Sequence, residues 1–266
     1  MKLSQILKTT LIASAVLASS NLLAKDGHIR VGVMSGPELA YNQTAADVAK
    51  KKYNLDVELV EFTDYVLPNT ALATKQLDAN AFQHLPYLER QAKDRGWTDL
   101  IPVGKTFIYP IAGYSKKIKD LSELKEGATI ALPNDPTNLG RALLLLQAKG
   151  LIKLRDPKDL SQTEVDIVEN PKHIRIQTAD ANLLVRALSA VDVAVINTNF
   201  SSQSGLFPTR DSIFVEDKDS PYVNYIVART DNQNDPDIQN FVKAFQTKEV
   251  YDKANELLKG SVIKGW

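Results

Sequence analysis

The residue types of one mid-chain segment, Pro133–Arg141, are those of a helix start that faces an anion. Asp135 or Asn134 is suited to cap the helix through a side-chain oxygen, and Pro136 fits the first helical position, where no N–H group is needed. A polar cap followed by proline therefore predicts a helix that begins at residue 136.

The same segment supplies the groups that would hold the anion. We expect the backbone N–H groups of Thr137 and Asn138 to point outward without partners, with the positive end of the helix dipole behind them. Arg141, one turn further along, has a planar guanidinium that binds a carboxylate through two parallel hydrogen bonds. The alternative for this segment alone is an ordinary capped helix that carries a surface arginine.

Aromatic side chains stand at two other places where a strand pattern ends. Tyr65 follows one strand pattern, and Phe82, His84 and Tyr87 span a strand-to-helix turn. Such turns present side chains to ligands in α/β proteins. Taken one at a time, Phe82 and Tyr87 fit the hydrophobic core better than a ligand contact, and a hydrogen bond to the backbone would explain His84.

Two asparagines complete the set of candidate binding residues. Asn197 directly follows a strand pattern, where it would also serve as a helix cap. Asn224 lies inside a strand pattern, where asparagine is disfavoured, which indicates that it has another role. Together, an anion clamp, two amides and an aromatic slot fit a free amino acid with an apolar, polarisable side chain such as a thioether.

The motifs of common catalytic and metal sites are missing from the sequence. There is no glycine-rich phosphate loop, no H-E-x-x-H and no G-x-S-x-G, and the histidines His28, His84 and His173 are scattered. We therefore expect no catalytic residues, no metal site and no cofactor. Two rival interpretations are a lyase or dehydratase, which would need an acid and a base in a cleft, and a surface interaction protein with a large exposed apolar patch.

Composition and the first residues bound the class of protein. The 266 residues carry 32 basic and 32 acidic side chains, a balance that favours neither nucleic acid nor an anionic membrane as a partner. Basic residues followed by a run rich in alanine, leucine and serine predict a cleaved secretory signal peptide over 1–24. The chain has no cysteine, which excludes disulfides and thiolate metal sites.

Strand and helix patterns alternate along the rest of the chain, which predicts an α/β fold with largely parallel sheets. Two such sets meet at a charged stretch near residue 115, so we expect two lobes with the ligand in the cleft between them. We expect strands at 28–33, 55–62, 80–83, 106–114, 128–132, 174–177, 191–196 and 223–228. We expect helices at 37–53, 67–77, 86–95, 136–149, 182–189, 235–245 and 249–258.

Several blocks of the sequence match one known family. They are 64–69, 78–84, 109–115, 133–141, 195–198, 214–218, 220–224 and the ending 264–266. Through these blocks the chain, from His28 to Trp266, closely resembles the NlpA/MetQ family of substrate-binding proteins, the extracytoplasmic methionine receptors of ABC importers.

The resemblance implies a two-lobed type II periplasmic-binding-protein fold, with mixed sheets flanked by helices and a ligand cleft between the lobes. Lobe I would comprise 25–112 and 222–266, and lobe II 113–221. The resemblance further implies a monomeric periplasmic protein that captures methionine, preferably L-methionine, and delivers it to a membrane permease–ATPase complex. D-methionine, a methionine dipeptide or another hydrophobic amino acid on the same fold are the remaining alternatives.

Similarity to the binding pattern of the family assigns roles to the candidate residues. Arg141 would hold the ligand's carboxylate, and Asn197 and Asn224 would hold the amino-acid head group. The side-chain pocket would be lined by Tyr65, Phe82, His84 and Tyr87.

One position departs from the pattern of the family. Its members are typically lipoproteins with a lipid-modified cysteine at the mature N-terminus, but here Lys25 follows the predicted cleavage site after Ala24. Without a thiol to acylate, we expect a freely diffusing periplasmic protein with no lipid anchor.

Overall fold

The computed structural model describes residues 27–266. The predicted signal peptide, residues 1–24, and Lys25 lie outside the described residues. Among residues 27–266, none of the helices combines the length and the apolar character needed to cross a membrane.

Strands and helices alternate through most of the described chain. The strands are β1 Gly27–Met34, β2 Leu55–Phe62, β3 Ala79–His84, β4 Leu100–Ile108, β5 Ala112–Tyr114, β6 Thr129–Pro133, β7 Lys153–Leu154, β8 Ile167–Glu169, β9 Arg175–Ala179, β10 Val193–Ile196, β11 Phe214–Val215, β12 Val223–Arg229 and β13 Ile263–Lys264. The α-helices are α1 Pro37–Tyr53, α2 Leu67–Ala73, α3 Leu85–Arg95, α4 Pro136–Ala148, α5 Leu184–Ala187, α6 Thr198–Gln203, α7 Pro208–Asp211, α8 Pro236–Phe245 and α9 Lys248–Leu257.

Two sheets organise these elements. The first has six strands in the order β13-β4-β12-β3-β1-β2, and the second has five in the order β11-β5-β10-β6-β9. The chain leaves the first sheet after β4 and returns to it at β12. Residues 109–111 and 216–222 are therefore the two segments that cross between the sheets, and we call them the first and second crossover.

The expectation of largely parallel sheets is wrong, because the pairing is mixed. β1 pairs in parallel with β2 and β3, whereas β12 pairs antiparallel with β3 and β4. In the second sheet β6 and β10 are parallel and β5 and β10 antiparallel. Alternating helix and strand patterns predict parallel pairing only for two strands that a helix connects. The chain reaches β12 from the second sheet, so the pattern does not predict the direction of β12.

The predicted elements that differ from the structure do so for local reasons. The helix expected at 67–77 ends at Ala73, since Lys75 adopts a left-handed backbone with φ of 62°. The extended run expected at 106–114 is two strands divided by the first crossover. In place of the helix expected at 182–189, the structure has only the short α5, which a turn of 3-10 helix precedes.

Apolar side chains form a core for each sheet and a third cluster where the two sheets meet. The first core packs α1, α8 and α9 on the six-stranded sheet around Tyr41 and Phe107, and the second packs α4 around Leu143. The third cluster joins Phe82 of β3 to residues of the second sheet such as Ile196. This cluster brings the ends of β3 and β10 together, and the polar residues that follow those strands meet beside it.

One carboxyl group is buried in the first turn of α1. Glu38 is 2% exposed, and neither of its side-chain oxygens has a hydrogen-bond partner of acceptable geometry among the described residues. Burial raises the pKa of Glu38 well above its ordinary value of 4.5, and the nearby Tyr41 hydroxyl opposes this shift only in part. The folded protein therefore keeps this carboxyl protonated at pH values where the unfolded chain ionises it.

This difference predicts a pH dependence of stability. Above pH 4.5 the unfolded state releases the Glu38 proton and the folded state keeps it, so the free energy of unfolding falls as pH rises, by at most about 1.4 kcal/mol per pH unit. Glu38→Gln removes the ionisation, and we expect its advantage over the wild type to grow from pH 5 to pH 8 in urea unfolding. Glu89→Gln, at an exposed position, is the control. Equal pH profiles for Glu38→Gln and wild type would contradict the assignment.

Candidate functional site

A small, partly open cavity lies between the two sheets. All seven residues predicted from the sequence line it, together with four that the sequence analysis missed. The lining residues are Tyr65, Phe82, Gln83, His84, Tyr87, Tyr109, Asn138, Arg141, Asn197, Asn199 and Asn224.

The start of α4 is built as expected, but it is already occupied by the chain's own carboxylate. Asp135 is the N-cap residue and Pro136 the first helical residue. The Asp135 side chain accepts hydrogen bonds from the backbone N–H of Asn138 at 2.9 Å and from the Thr137 hydroxyl at 2.9 Å. The expectation that the Asn138 amide is free for an anion is therefore wrong, because the capping carboxylate satisfies it.

Arg141 is buried rather than a surface arginine, with 4% of its area exposed. Its Nε and Nη2 donate to the two carboxylate oxygens of Glu216 at 2.9 and 2.5 Å, and Nη2 also donates to the Tyr109 carbonyl oxygen at 2.9 Å. The Tyr222 ring lies against the guanidinium, with its centroid 4.4 Å from Cζ. Among the hydrogen bonds of the described chain none uses Nη1, so this edge of the fork is open to a ligand.

Asn197 does not use its side chain to cap α6, although it occupies the N-cap position. Its Nδ2 instead donates to Asn138 Oδ1 at 2.8 Å, which turns the amide toward the cavity. Its Oδ1 is buried and has no hydrogen-bond partner among the described residues. A buried acceptor without a donor costs free energy unless something supplies the donor, so this atom is a candidate contact for a ligand.

His84 connects the two halves of the site. Its Nδ1 accepts from the backbone N–H of Tyr87 at 3.2 Å, so the ring proton is on Nε2, which donates to Asn138 Oδ1 at 3.4 Å. Burial lowers the pKa of His84 to about 3, and the charge of Arg141 acts in the same direction. The imidazole is therefore a neutral hydrogen-bonding wall of the cavity and not a source of charge.

Asn199 provides a second polar atom without a partner. Its Oδ1 accepts from the Tyr65 hydroxyl at 2.7 Å, a bond between the segment after β2 and the start of α6. Its Nδ2 is buried and has no acceptor among the described residues. The cavity wall thus holds one unpaired donor, on Asn199, and one unpaired acceptor, on Asn197.

Asn224 and Gln83 are oriented by their neighbours. Asn224, at the start of β12, donates from Nδ2 to the Phe82 carbonyl oxygen at 2.8 Å across the β3–β12 pair. This bond explains an asparagine inside a strand. Gln83 exchanges hydrogen bonds with Asn69 at 2.7 and 2.5 Å, which fixes a buried amide pair at one side of the cavity.

Aromatic rings form the apolar side of the cavity. The ring centroids of Tyr65, Phe82 and Tyr87 are 5.9 to 6.0 Å from one another. Phe200 adds a fourth ring 4.8 Å from that of Tyr65, and the Tyr87 hydroxyl is bonded to the Tyr65 carbonyl at 2.8 Å. These contacts place aromatic faces and edges where a polarisable side chain would gain about 0.3–1.5 kcal/mol per contact.

The four missed residues show which sequence signals were available. Asn138 lies one turn after the cap residue Asp135, and Asn199 lies two residues after Asn197, so both are in the first turns of helices already singled out. Gln83 adjoins two predicted residues. Tyr109 is on the first crossover, and no local pattern signals that position.

The described residues also lack the features of a metal centre. No group of three or more His, Asp or Glu side chains among residues 27–266 is arranged to hold a metal ion. The cavity contacts are those of amides, tyrosines and one arginine.

Comparisons with known proteins identify the family of the chain. The family described as NlpA lipoprotein matches residues 29–266. The D-methionine-binding lipoprotein MetQ of Salmonella typhi is 57% identical over 259 residues, 96% of this chain and 95% of the relative. A solved nutrient-binding protein from Burkholderia cenocepacia bound to methionine is 46% identical with a TM-score of 0.87, covering 90% of this chain and 100% of that one. An ABC transporter periplasmic substrate-binding protein from Coxiella burnetii is 43% identical with a TM-score of 0.86. The match covers 89% of this chain and 100% of that one.

The names of these proteins correct one expectation. We expected a freely diffusing protein without a lipid anchor, but the matching family and the Salmonella relative are both described as lipoproteins. The expectation of an unanchored protein is therefore wrong by this comparison. It rested on one residue, Lys25, and on a cleavage point chosen from residue types alone, both of which lie outside the described residues.

The environment of His84 gives a direct test of the cavity. Because burial lowers its pKa to about 3, the His84 ring should stay neutral from pH 8 to pH 5, whereas the unfolded chain takes up a proton as pH falls below 6.5. In ¹⁵N-edited NMR of the ring nitrogens we expect no change in the His84 signals over this range. The exposed His28 and His173 give reference signals, which their own substitutions assign. A protonation step of His84 near pH 6.5 would contradict the burial described here.

Proposed function

This chain belongs to the NlpA lipoprotein family, and we propose that it captures methionine outside the cytoplasmic membrane and delivers it to an ABC importer. The family is one of substrate-binding proteins, so the chain is not an enzyme. The observation that carries the proposal is the pair of unpaired buried atoms, Asn197 Oδ1 and Asn199 Nδ2, which line the same cavity as Arg141. An acceptor, a donor and a guanidinium match the head group of an amino acid.

The head group is assigned to the polar side of the cavity. Arg141 binds the carboxylate through its open Nη1 edge, and the Nδ2 of Asn199 provides a second donor. The ammonium is held by oxygens of Asn197 and Asn224, since amide oxygens accept from its N–H groups. Ligand binding would then pair the two buried atoms that the chain leaves unpaired.

The thioether side chain is assigned to the aromatic side of the cavity. Tyr65, Phe82, His84 and Tyr87 surround this space, and the imidazole is neutral, so no charge is left facing an apolar group. A sulfur atom near the edges of aromatic rings is favourable. The Salmonella relative is named for D-methionine binding, whereas we expect a preference for the L enantiomer, so both enantiomers belong in the binding test.

Two lobes that close on the ligand supply the mechanism. We propose lobe I as 25–112 and 222–266 and lobe II as 113–221, which is supported by the membership of the strands in the two sheets. Arg141, Asn197 and Asn199 belong to lobe II, and the other predicted residues to lobe I. A ligand that contacts both lobes stabilises the closed arrangement relative to the open one, because only the closed form makes both sets of contacts.

The partner is a membrane permease–ATPase complex, which receives the ligand when the lobes open. This is supported by the similarity to a periplasmic binding protein described as part of an ABC transporter. We propose that the protein acts as a monomer, since one chain supplies the whole lining of the cavity.

Isothermal titration calorimetry of protein unfolded and refolded to remove bound ligand tests the function. L-methionine should bind with measurable heat and raise the melting temperature, and D-methionine, a methionine dipeptide and leucine serve as comparison ligands. Mass spectrometry of ligand that co-purifies with the protein identifies the natural occupant. The absence of heat and of a thermal shift at millimolar methionine would overturn the proposal.

Arg141 gives the matching variant test. Arg141→Lys keeps the charge but cannot keep the paired bonds to Glu216 and also reach the ligand as Nη1 does, so we expect methionine affinity to fall by about 1.5 kcal/mol or more. Arg155→Lys, at a largely exposed arginine of the same lobe, should leave the affinity as it is. Unchanged affinity in Arg141→Lys would mean that this guanidinium does not hold the carboxylate.

A further inference from the structure

The ion pair between Arg141 and Glu216 lies directly behind the cavity. Glu216 follows β11 at the start of the second crossover, is not among the lining residues, and its side chain is 13% exposed. It takes both the Nε and the Nη2 donors of Arg141. Its Oε2 also accepts from the backbone N–H of Ile111 in the first crossover at 3.3 Å. The carboxylate is therefore fixed by contacts to the ligand-facing arginine and to both crossovers.

The cavity has no other formal charge on its lining. Arg141 is the one lining residue of a permanently charged type, and His84 is neutral. Burial raises the pKa of the lining tyrosines Tyr65, Tyr87 and Tyr109, so their hydroxyls are uncharged. Asp135 lines the neighbouring space toward the surface, and its carboxylate is engaged in capping α4. Glu216 is thus the carboxylate bonded to the positive charge at the cavity wall, whereas the charge of Asp135 acts on the lining tyrosines Tyr65 and Tyr87.

We propose that Glu216 is a specificity-determining residue, which cancels the charge of Arg141 so that the cavity prefers a net-neutral zwitterion over ligands with a net charge. This inference rests on the proposed function, since it assumes that Arg141 holds the carboxylate of an amino acid. Arg141 supplies the geometry that recognises the carboxylate, and Glu216 removes the excess positive potential that would attract any carboxylic acid. The ammonium group of the ligand is then required to complete the charge balance.

The electrostatic effect is large enough to measure. A unit charge a few ångströms behind the arginine changes the affinity of a charged ligand by about tenfold or more, even at an effective dielectric constant of about 20. The effect acts with opposite sign on anions and cations. Loss of packing or misplacement of the arginine would weaken the binding of all ligands together, so the two causes are separable.

Three ligands with the same side chain test the proposal. They are, in buffer at about pH 6, L-methionine, its des-amino acid 4-(methylthio)butanoate with net charge −1, and L-methioninamide with net charge +1. In Glu216→Gln we expect the affinity of the anion to rise about tenfold or more relative to methionine, and that of the cation to fall about tenfold or more. Glu216→Asp keeps the charge and should keep the wild-type order of the three ligands, even if every affinity falls. Asp217→Asn, an exposed neighbour, is the control.

Each outcome bears on one claim. If wild-type protein does not bind methionine, the proposed function fails. If it binds methionine but Glu216→Gln changes all three affinities in parallel, the function stands and the role of Glu216 is overturned. Should Glu216→Gln not fold, the wild-type protein still tests the proposal, because methionine should bind more tightly than either charged ligand. Tighter binding of the anion or of the cation by the wild type would also overturn the proposal.

Discussion

The ion pair of Arg141 with Glu216 is the interaction on which the rest of the site depends. A buried guanidinium left without its carboxylate would cost about 3–5 kcal/mol, so the pair has to be held in place on every side. The first crossover provides a carbonyl and an N–H group, the second provides the carboxylate, and the Tyr222 ring covers the guanidinium. The segments that join the two sheets are thereby tied to the residue that faces the ligand.

The remaining polar groups of the site are neutral, and their positions are set by one another. Asn138 is bonded to Asp135, Asn197 and His84, so one amide orients residues from three elements. Only two buried side-chain atoms of the cavity lining, one donor and one acceptor, remain unpaired among the described residues. An arrangement of this kind would recognise a ligand by the positions of its hydrogen-bonding groups, because each amide presents a fixed oxygen or nitrogen without adding charge.

Local sequence signals predicted most of the elements and the seven residues that line the cavity, but not the contacts that hold those residues. Pro136 after Asp135 marked the helix, and the misplaced Asn224 marked a strand residue with a second role. Glu216 stands 75 positions from Arg141, and nothing in its surroundings distinguishes it from a solvated acid. The directions of β4 and β12 were missed for the same reason, since their pairing joins segments more than 100 residues apart. The sequence did not show that Asp135 already occupies the start of α4, because a capping aspartate and a ligand's carboxylate suit the same position.

Several hydrogen bonds between the halves of the molecule, among them His84 to Asn138, Tyr65 to Asn199 and Asn182 to Thr63, do not involve a ligand. In the proposed opening of the lobes, these three bonds would have to break whatever the cavity contains. The release of a bound molecule is then limited by the rate at which the protein itself opens. How well the molecule fits the cavity decides how often an opening leads to its release. Ligands of quite different affinity would therefore share the same upper limit on their rate of release. A transporter that pulls the halves apart would act on the opening step alone.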